Sequence, residues 1–190
     1  MMLQLSGEDR RILCVVAREA IDSQIEARPP VYPPYSEGCL QTAGAFVTLK
    51  TGGELRGCIG TMVGRRVLGE TIKIMAKEAA FEDPRFEPLR VEELDLIDIE
   101  ITVLGPLKKI ADESEIILGV HGVYLICRGR AGVFLPQVAP EWGWDTPTLL
   151  TNLCRKAGLA PGSWRDPGAA LYIFEGLEFD EKEFRSRKPD

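Results

Sequence analysis

The sequence predicts an α+β fold, a mainly antiparallel sheet with helices packed on it. Three observations carry this. Residues 96–104, LIDIEITVL, alternate strictly between apolar and polar, the period of a half-buried strand. Residues 45–61 and 121–138 each read as strand, glycine-containing turn, strand. Helical stretches are interspersed with these without a regular strand–helix–strand rhythm, so a doubly wound parallel sheet is not expected.

The elements follow in order. SGEDRRILCVVAREAIDSQIEA reads as an amphipathic helix, with Ser6 placed to cap it and Asp9 three residues on as the acidic partner of a capping box. Ile12, Leu13, Val16, Ala20 and Ile21 share its apolar face. The four prolines of ARPPVYPPYSEGC end the helix and favour extended backbone, so this is a surface loop. In AFVTLKTGGELRGCIGT the TGG supplies the turn. Alternation along the second strand places Leu55, Gly57 and Ile59 on one face and Glu54, Arg56, Cys58 and Gly60 on the other. RRVLGETIKIMAKEAAFED is a second helix, stopped before Pro84. HGVYLICRGRAGVFLPQV is a second hairpin turning at Gly129. DTPTLLTNLCRKAGL is a third helix, capped by Asp145 or Thr146, with Pro147 in its first turn and Gly158 at its end. AALYIFEGLEF is a last strand, and residues 181–190 are expected to be a frayed tail.

A length of 190 residues favours one domain, with two lobes. The net charge of −6 argues against bulk binding to nucleic acid or to an anionic membrane. No apolar run approaches membrane-spanning length, and the five cysteines form no CxxC pair. Free thiols in a cytoplasmic setting are therefore expected. With one histidine and no ligand spacing, the sequence calls for no metal and no cofactor.

Four stretches hold residue types that chemistry uses. Cys58 lies between Gly57 and Gly60, two residues from Arg56. A nearby cation lowers a thiol pKa and makes the thiolate available, so Cys58 is a candidate nucleophile and Arg56 its candidate activator. Equally, Cys58 can be a small buried residue in a tight bend. His121, the only histidine, is a candidate acid or base, or a loop residue capping backbone groups. Trp142 and Trp144 around a glycine either wall a pocket with Gln137 and Glu141 or plug the base of the third helix. Asp83, Arg85 and Phe86 either clamp an anion or form a helix-terminal turn with an internal Asp–Arg pair.

The stretches LRGCIGT, AAFEDPRFEPL, HGVYL, GVFLPQVAPEWGWD and LCRKAGL, in this order, resemble the AMMECR domain family, also called AmmeMemoRadiSam system protein A. The resemblance runs from about residue 8 to 180, and LRGCIG is a highly specific signature. It implies an α+β fold of a larger and a smaller lobe with the signature near the cleft between them, and a cytoplasmic location. It also implies Memo-like and radical SAM proteins as partners. Leu55 to Gly60, Asp83 to Phe86, His121 and Gln137 to Trp144 match family-motif positions. The family supplies no established reaction. Two functions follow: an enzyme in which Cys58 attacks a small substrate, with Arg56, His121 and Glu141 assisting, or a non-catalytic module that binds a small molecule or peptide at Gly57, Gly60, Asp83, Arg85, Phe86, Gln137, Trp142 and Trp144.

Overall fold

A computed structural model describes residues 4–184. Its described residues divide into a smaller unit, residues 105–176, and a larger unit made of the rest.

In the larger unit, β1 (Ala45–Thr51) pairs antiparallel with β2 (Glu54–Thr61) on one side and β3 (Ile97–Leu104) on the other. The hairpin turns at Gly52 and Gly53, both with positive φ, 59° and 87°, a conformation glycine adopts without cost. Helix α1 (Gly7–Ile25) begins at the expected capping box: Ser6 accepts from the Asp9 backbone N–H while the Asp9 carboxylate accepts from Ser6. Its apolar stripe packs with α2 (Leu68–Phe81) and with Val47, Leu49, Ile97, Ile99 and Ile101 in one core. Helix α2 lacks a side-chain cap and starts three residues later than the sequence pattern; the Leu68 N–H instead donates to the Gln41 carbonyl at 2.7 Å.

In the smaller unit, β4 (Lys108–Ile110) and β5 (His121–Cys127) flank β7 (Ala170–Asp180), and β6 (Arg130–Phe134) pairs with β5. All these pairings are antiparallel. The hairpin between β5 and β6 turns through Arg128 and Gly129, both left-handed. Helix α4 (Thr146–Lys156) carries the Asp145 cap and packs Leu149, Leu150 and Leu153 into a second core with Val123 and Leu125. The part of β7 after Gly176 belongs to the larger unit.

The predicted class thus holds: mixed helix and strand with antiparallel pairing. The sequence pattern missed β4 and a five-residue helix α3 (Val138–Trp142); both are too short for a period to show. Thr102, at a polar position of the 96–104 alternation, is only 1% exposed rather than on an open face. The frayed tail expected from residue 181 does not hold for 181–184. There Glu181 is buried, its carboxylate accepting from Arg18 and from the Ile99 N–H (3.0 Å). The rest of that expectation lies outside the described residues. Among the described residues no helix is long and apolar enough to cross a membrane.

Candidate functional site

β2 is the edge of the β2–β1–β3 order, and its register decides where the thiol points. With a two-residue turn and unbroken pairing, Cys58 would stand opposite Val47, on the core face. Instead the register shifts between Leu49 and Lys50: Leu49 pairs with Gly57 and Lys50 with Leu55, leaving Arg56 as the extra residue of a bulge. Cys58 is thereby opposite Thr48. It lies half-buried and outside the apolar core, while the other four cysteines are buried. The alternation expected from residue 54 to 60 is corrected accordingly. Leu55 does not share the face of Gly57, and strand period does not place Arg56 beside Cys58.

The glycines have packing reasons. A Cβ on Gly57 would sit 2.2 Å from the Ala79 carbonyl oxygen of α2, and one on Gly60 would sit 2.3 Å from the Phe46 ring. Gly57 therefore admits the helix backbone, and Gly60 admits the aromatic ring of its cross-strand partner.

Asp83 and Arg85 cap the open edge at Cys58. The Cys58 N–H donates to Asp83 Oδ2 at 2.9 Å, and Arg85 Nη2 donates to the Cys58 carbonyl at 3.1 Å. Arg85 in turn donates from its backbone N–H and Nε to Asp83 Oδ1, and from Nη2 to Oδ2. The pair acts as a short surrogate strand, supplying one acceptor and one donor where an edge leaves both unmet. The bonds from Arg85, then those from the backbone of Cys58 and Arg85, hold the Asp83 carboxyl down at about 2, against 3.8 ordinarily. A folded pKa below the unfolded one contributes stability above pH 4 that is lost as pH falls from about 4 to 2. This shift corresponds to roughly 2 kcal/mol. Asp83→Asn should lose about that much at pH 7 in urea unfolding, and the gap from wild type should close toward pH 2. A gap unchanged between pH 7 and pH 2 would show that the carboxylate charge is not what the clamp uses.

The cation that meets Cys58 is Arg85 rather than Arg56. The Arg85 pKa is raised, chiefly by Asp83, with the Cys58 charge adding to it. Arg56 is turned to Glu93, donating from Nε at 2.6 Å and Nη2 at 3.1 Å, and to the Glu87 carbonyl. Phe86 lies against both guanidinium groups, 5.9 Å from that of Arg56 and 5.5 Å from that of Arg85. The Thr48 hydroxyl donates to Cys58 Sγ at 3.3 Å. Thr48 and Glu93 were not singled out from the sequence.

The remaining candidates belong to the smaller unit. His121 opens β5, and its Nδ1 accepts from the Ile117 N–H at 3.0 Å, the backbone-capping arrangement of a turn. It also lines a cavity of about 150 Å³ with Lys108 and Glu175. Trp144 packs edge-on to Phe134 in the second core. Trp142 stacks on Trp144 at 6.0 Å and is 69% exposed. Gln137 is the N-cap residue of α3 without a side-chain capping bond, and Glu141 is exposed on its first turn. Among the described residues no cluster of three or more His, Cys, Asp or Glu is placed to hold a metal ion.

Fold and site together define an α+β protein whose edge strand carries a half-buried thiol in a side-chain clamp. The AMMECR1 family profile matches residues 14–179, and the chain belongs to that family. It is 39% identical over 177 residues to Protein NEQ441 of Nanoarchaeum equitans, covering 89% of this chain and 98% of the relative. A protein of Methanothermobacter thermautotrophicus is 40% identical over 186 residues, covering 93% and 96%. The crystal structure of an uncharacterised protein, PH0010, from Pyrococcus horikoshii superposes with a TM-score of 0.87 at 32% identity, covering 93% of each chain.

Proposed function

We propose that this AMMECR1-family protein is an enzyme that acts on a small substrate through the Cys58 thiolate. One observation carries the reading. The bulge at Arg56 takes Cys58 off the core face, so the thiol is not a core filler, whereas Gly57, Gly60, Asp83 and Arg56 all have structural work. Two features favour the thiolate: a hydroxyl donating to the sulfur, and the exposed Arg85 guanidinium held beside it by its bond to the Cys58 carbonyl. Arg85 takes the activating role first considered for Arg56.

The test is the pH dependence of alkylation at Cys58, read by peptide mass spectrometry. Wild type should titrate with a midpoint below about 8.5, the free-cysteine value. Arg85→Gln and Thr48→Val should each move the midpoint up, and Thr48→Ser should restore it. Arginine stays charged across this range, so its effect is removed only by substitution. Slow modification at every pH would sink the enzyme reading.

A second reading is a non-catalytic module that binds Memo-like and radical SAM proteins, and exposed Trp142 is the observation that favours it. Co-purification with such partners that survives Cys58→Ser but is lost in Trp142→Ala would replace the first reading with this one.

A further inference from the structure

Two guanidinium groups share the Phe86 ring next to Cys58, and each keeps one nitrogen without an acceptor among the described residues. Arg85 commits Nε and Nη2 to Asp83 and the Cys58 carbonyl. Its Nη1 makes no hydrogen bond among the described residues, and the side chain is 54% exposed. Arg56 commits Nε and Nη2 to Glu93 and Glu87, while its Nη1 is buried with no hydrogen-bond partner among the described residues. The Arg56 Nη1 is enclosed by protein, so Arg85 Nη1 is the nitrogen that an acceptor from outside can reach. Both side chains are already oriented by their carboxylates and by the ring. Receiving an anion therefore costs little further ordering, and planar guanidinium edges match an oxyanion.

We propose that the Cys58 site takes an anionic substrate. Its carboxylate or phosphate oxygens are received at the exposed Arg85 guanidinium on Phe86, and its electrophilic centre is presented to Cys58 Sγ. Arg85 supplies the accessible edge, and Arg56 stands across the ring. Asp83 and Glu93 offset part of the two positive charges, so recognition combines directed N–H groups with the charge that remains. This inference rests on the thiol reading above and names the substrate class for it.

Iodoacetate and iodoacetamide separate the two ideas. Each alkylates the thiolate, forming an S–C bond as the C–I bond breaks and iodide leaves with the electron pair. They differ in that one carries a carboxylate. Because both consume the same thiolate, the ratio of their rates is independent of the thiol pKa. An unstructured peptide with a single cysteine supplies the reference ratio. At low ionic strength the iodoacetate-to-iodoacetamide ratio at Cys58 should exceed the reference by roughly three- to tenfold, the scale of one charge pair near a protein surface. It should fall toward the reference in ~0.5 M salt and in Arg85→Gln, with part of the excess kept in Arg85→Lys. The wild-type ratio decides by itself, even where a variant fails to fold. Fast reaction with both reagents at the reference ratio overturns the anionic substrate and leaves the thiol reading standing. Slow reaction with both overturns the two together.

Discussion

Gly57→Ala should cost the larger unit about 3 kcal/mol of stability, at the upper end of what overpacking costs. The added methyl carbon would lie 2.2 Å from the Ala79 carbonyl oxygen. That oxygen is helix backbone, not the end of a side chain, so no rotamer change relieves the clash. Either α2 lifts from the hairpin or β2 shifts at its bulge. Both movements disturb the core in which Leu49, Ile72, Ala76 and Ala79 meet, and native packing has few voids to absorb them. Gly7→Ala is the control: nothing lies within 4 Å of its Cβ position, so the change should stay within about 0.5 kcal/mol. Urea midpoints for the two variants measure the contrast. Equal midpoints would show that α2 does not depend on this close approach.

Breaking the Arg18–Glu181 pair should be at least as costly. Arg18 reaches Glu181 from Nε and Nη2, and it also donates to the carbonyls of Leu94 and Ile97 at 2.9 Å each. Glu181 additionally accepts the Ile99 N–H, so one carboxylate joins the segment after β7 to α1 and β3. Glu181→Leu leaves a largely buried guanidinium with only Asp22, 3.8 Å away, as counter-charge, and leaves the Ile99 N–H without its acceptor. The expected loss is ~3–5 kcal/mol. Replacing both partners, as Arg18→Met with Glu181→Leu, should recover only part of it: the desolvation cost of the charges disappears with them, but the Ile99 N–H and the Leu94 and Ile97 carbonyls stay without these partners. A double-mutant cycle in urea gives the coupling directly. A coupling near zero would mean that the carbonyl partners hold Arg18 without the carboxylate.

The outcome at the candidate site was only partly legible beforehand. Leu13, Val16, Ala20 and Ile21, like Ile97, Ile99 and Ile101, repeat at the spacing of the element that buries them, so a window of a dozen residues was enough. The turn at Gly129 and the Asp145 cap were similarly local, resting on glycine's tolerance of positive φ and on a carboxylate three residues from its donor. Pairings such as Asp83 with Cys58, 25 residues apart, or Arg56 with Glu93, 37 apart, leave no periodic trace. Each is one contact between stretches whose local patterns would be the same without it.

By itself, then, the sequence determined the order of helices and antiparallel hairpins and where their caps and turns fall, because short-range periodicity and backbone preference suffice for these. Its resemblance to the AMMECR family was also readable directly, since motifs are local strings. Tertiary structure alone decided which face the thiol takes. A single extra residue at Arg56 moves Cys58 from opposite Val47 to opposite Thr48, and a one-residue slip turns a side chain to the other side of the sheet. It likewise decided that the cation at Cys58 is Arg85. The reason is that an edge strand's unmet N–H and carbonyl are satisfied by whatever donors and acceptors the fold brings alongside, and here those come from the turn after α2.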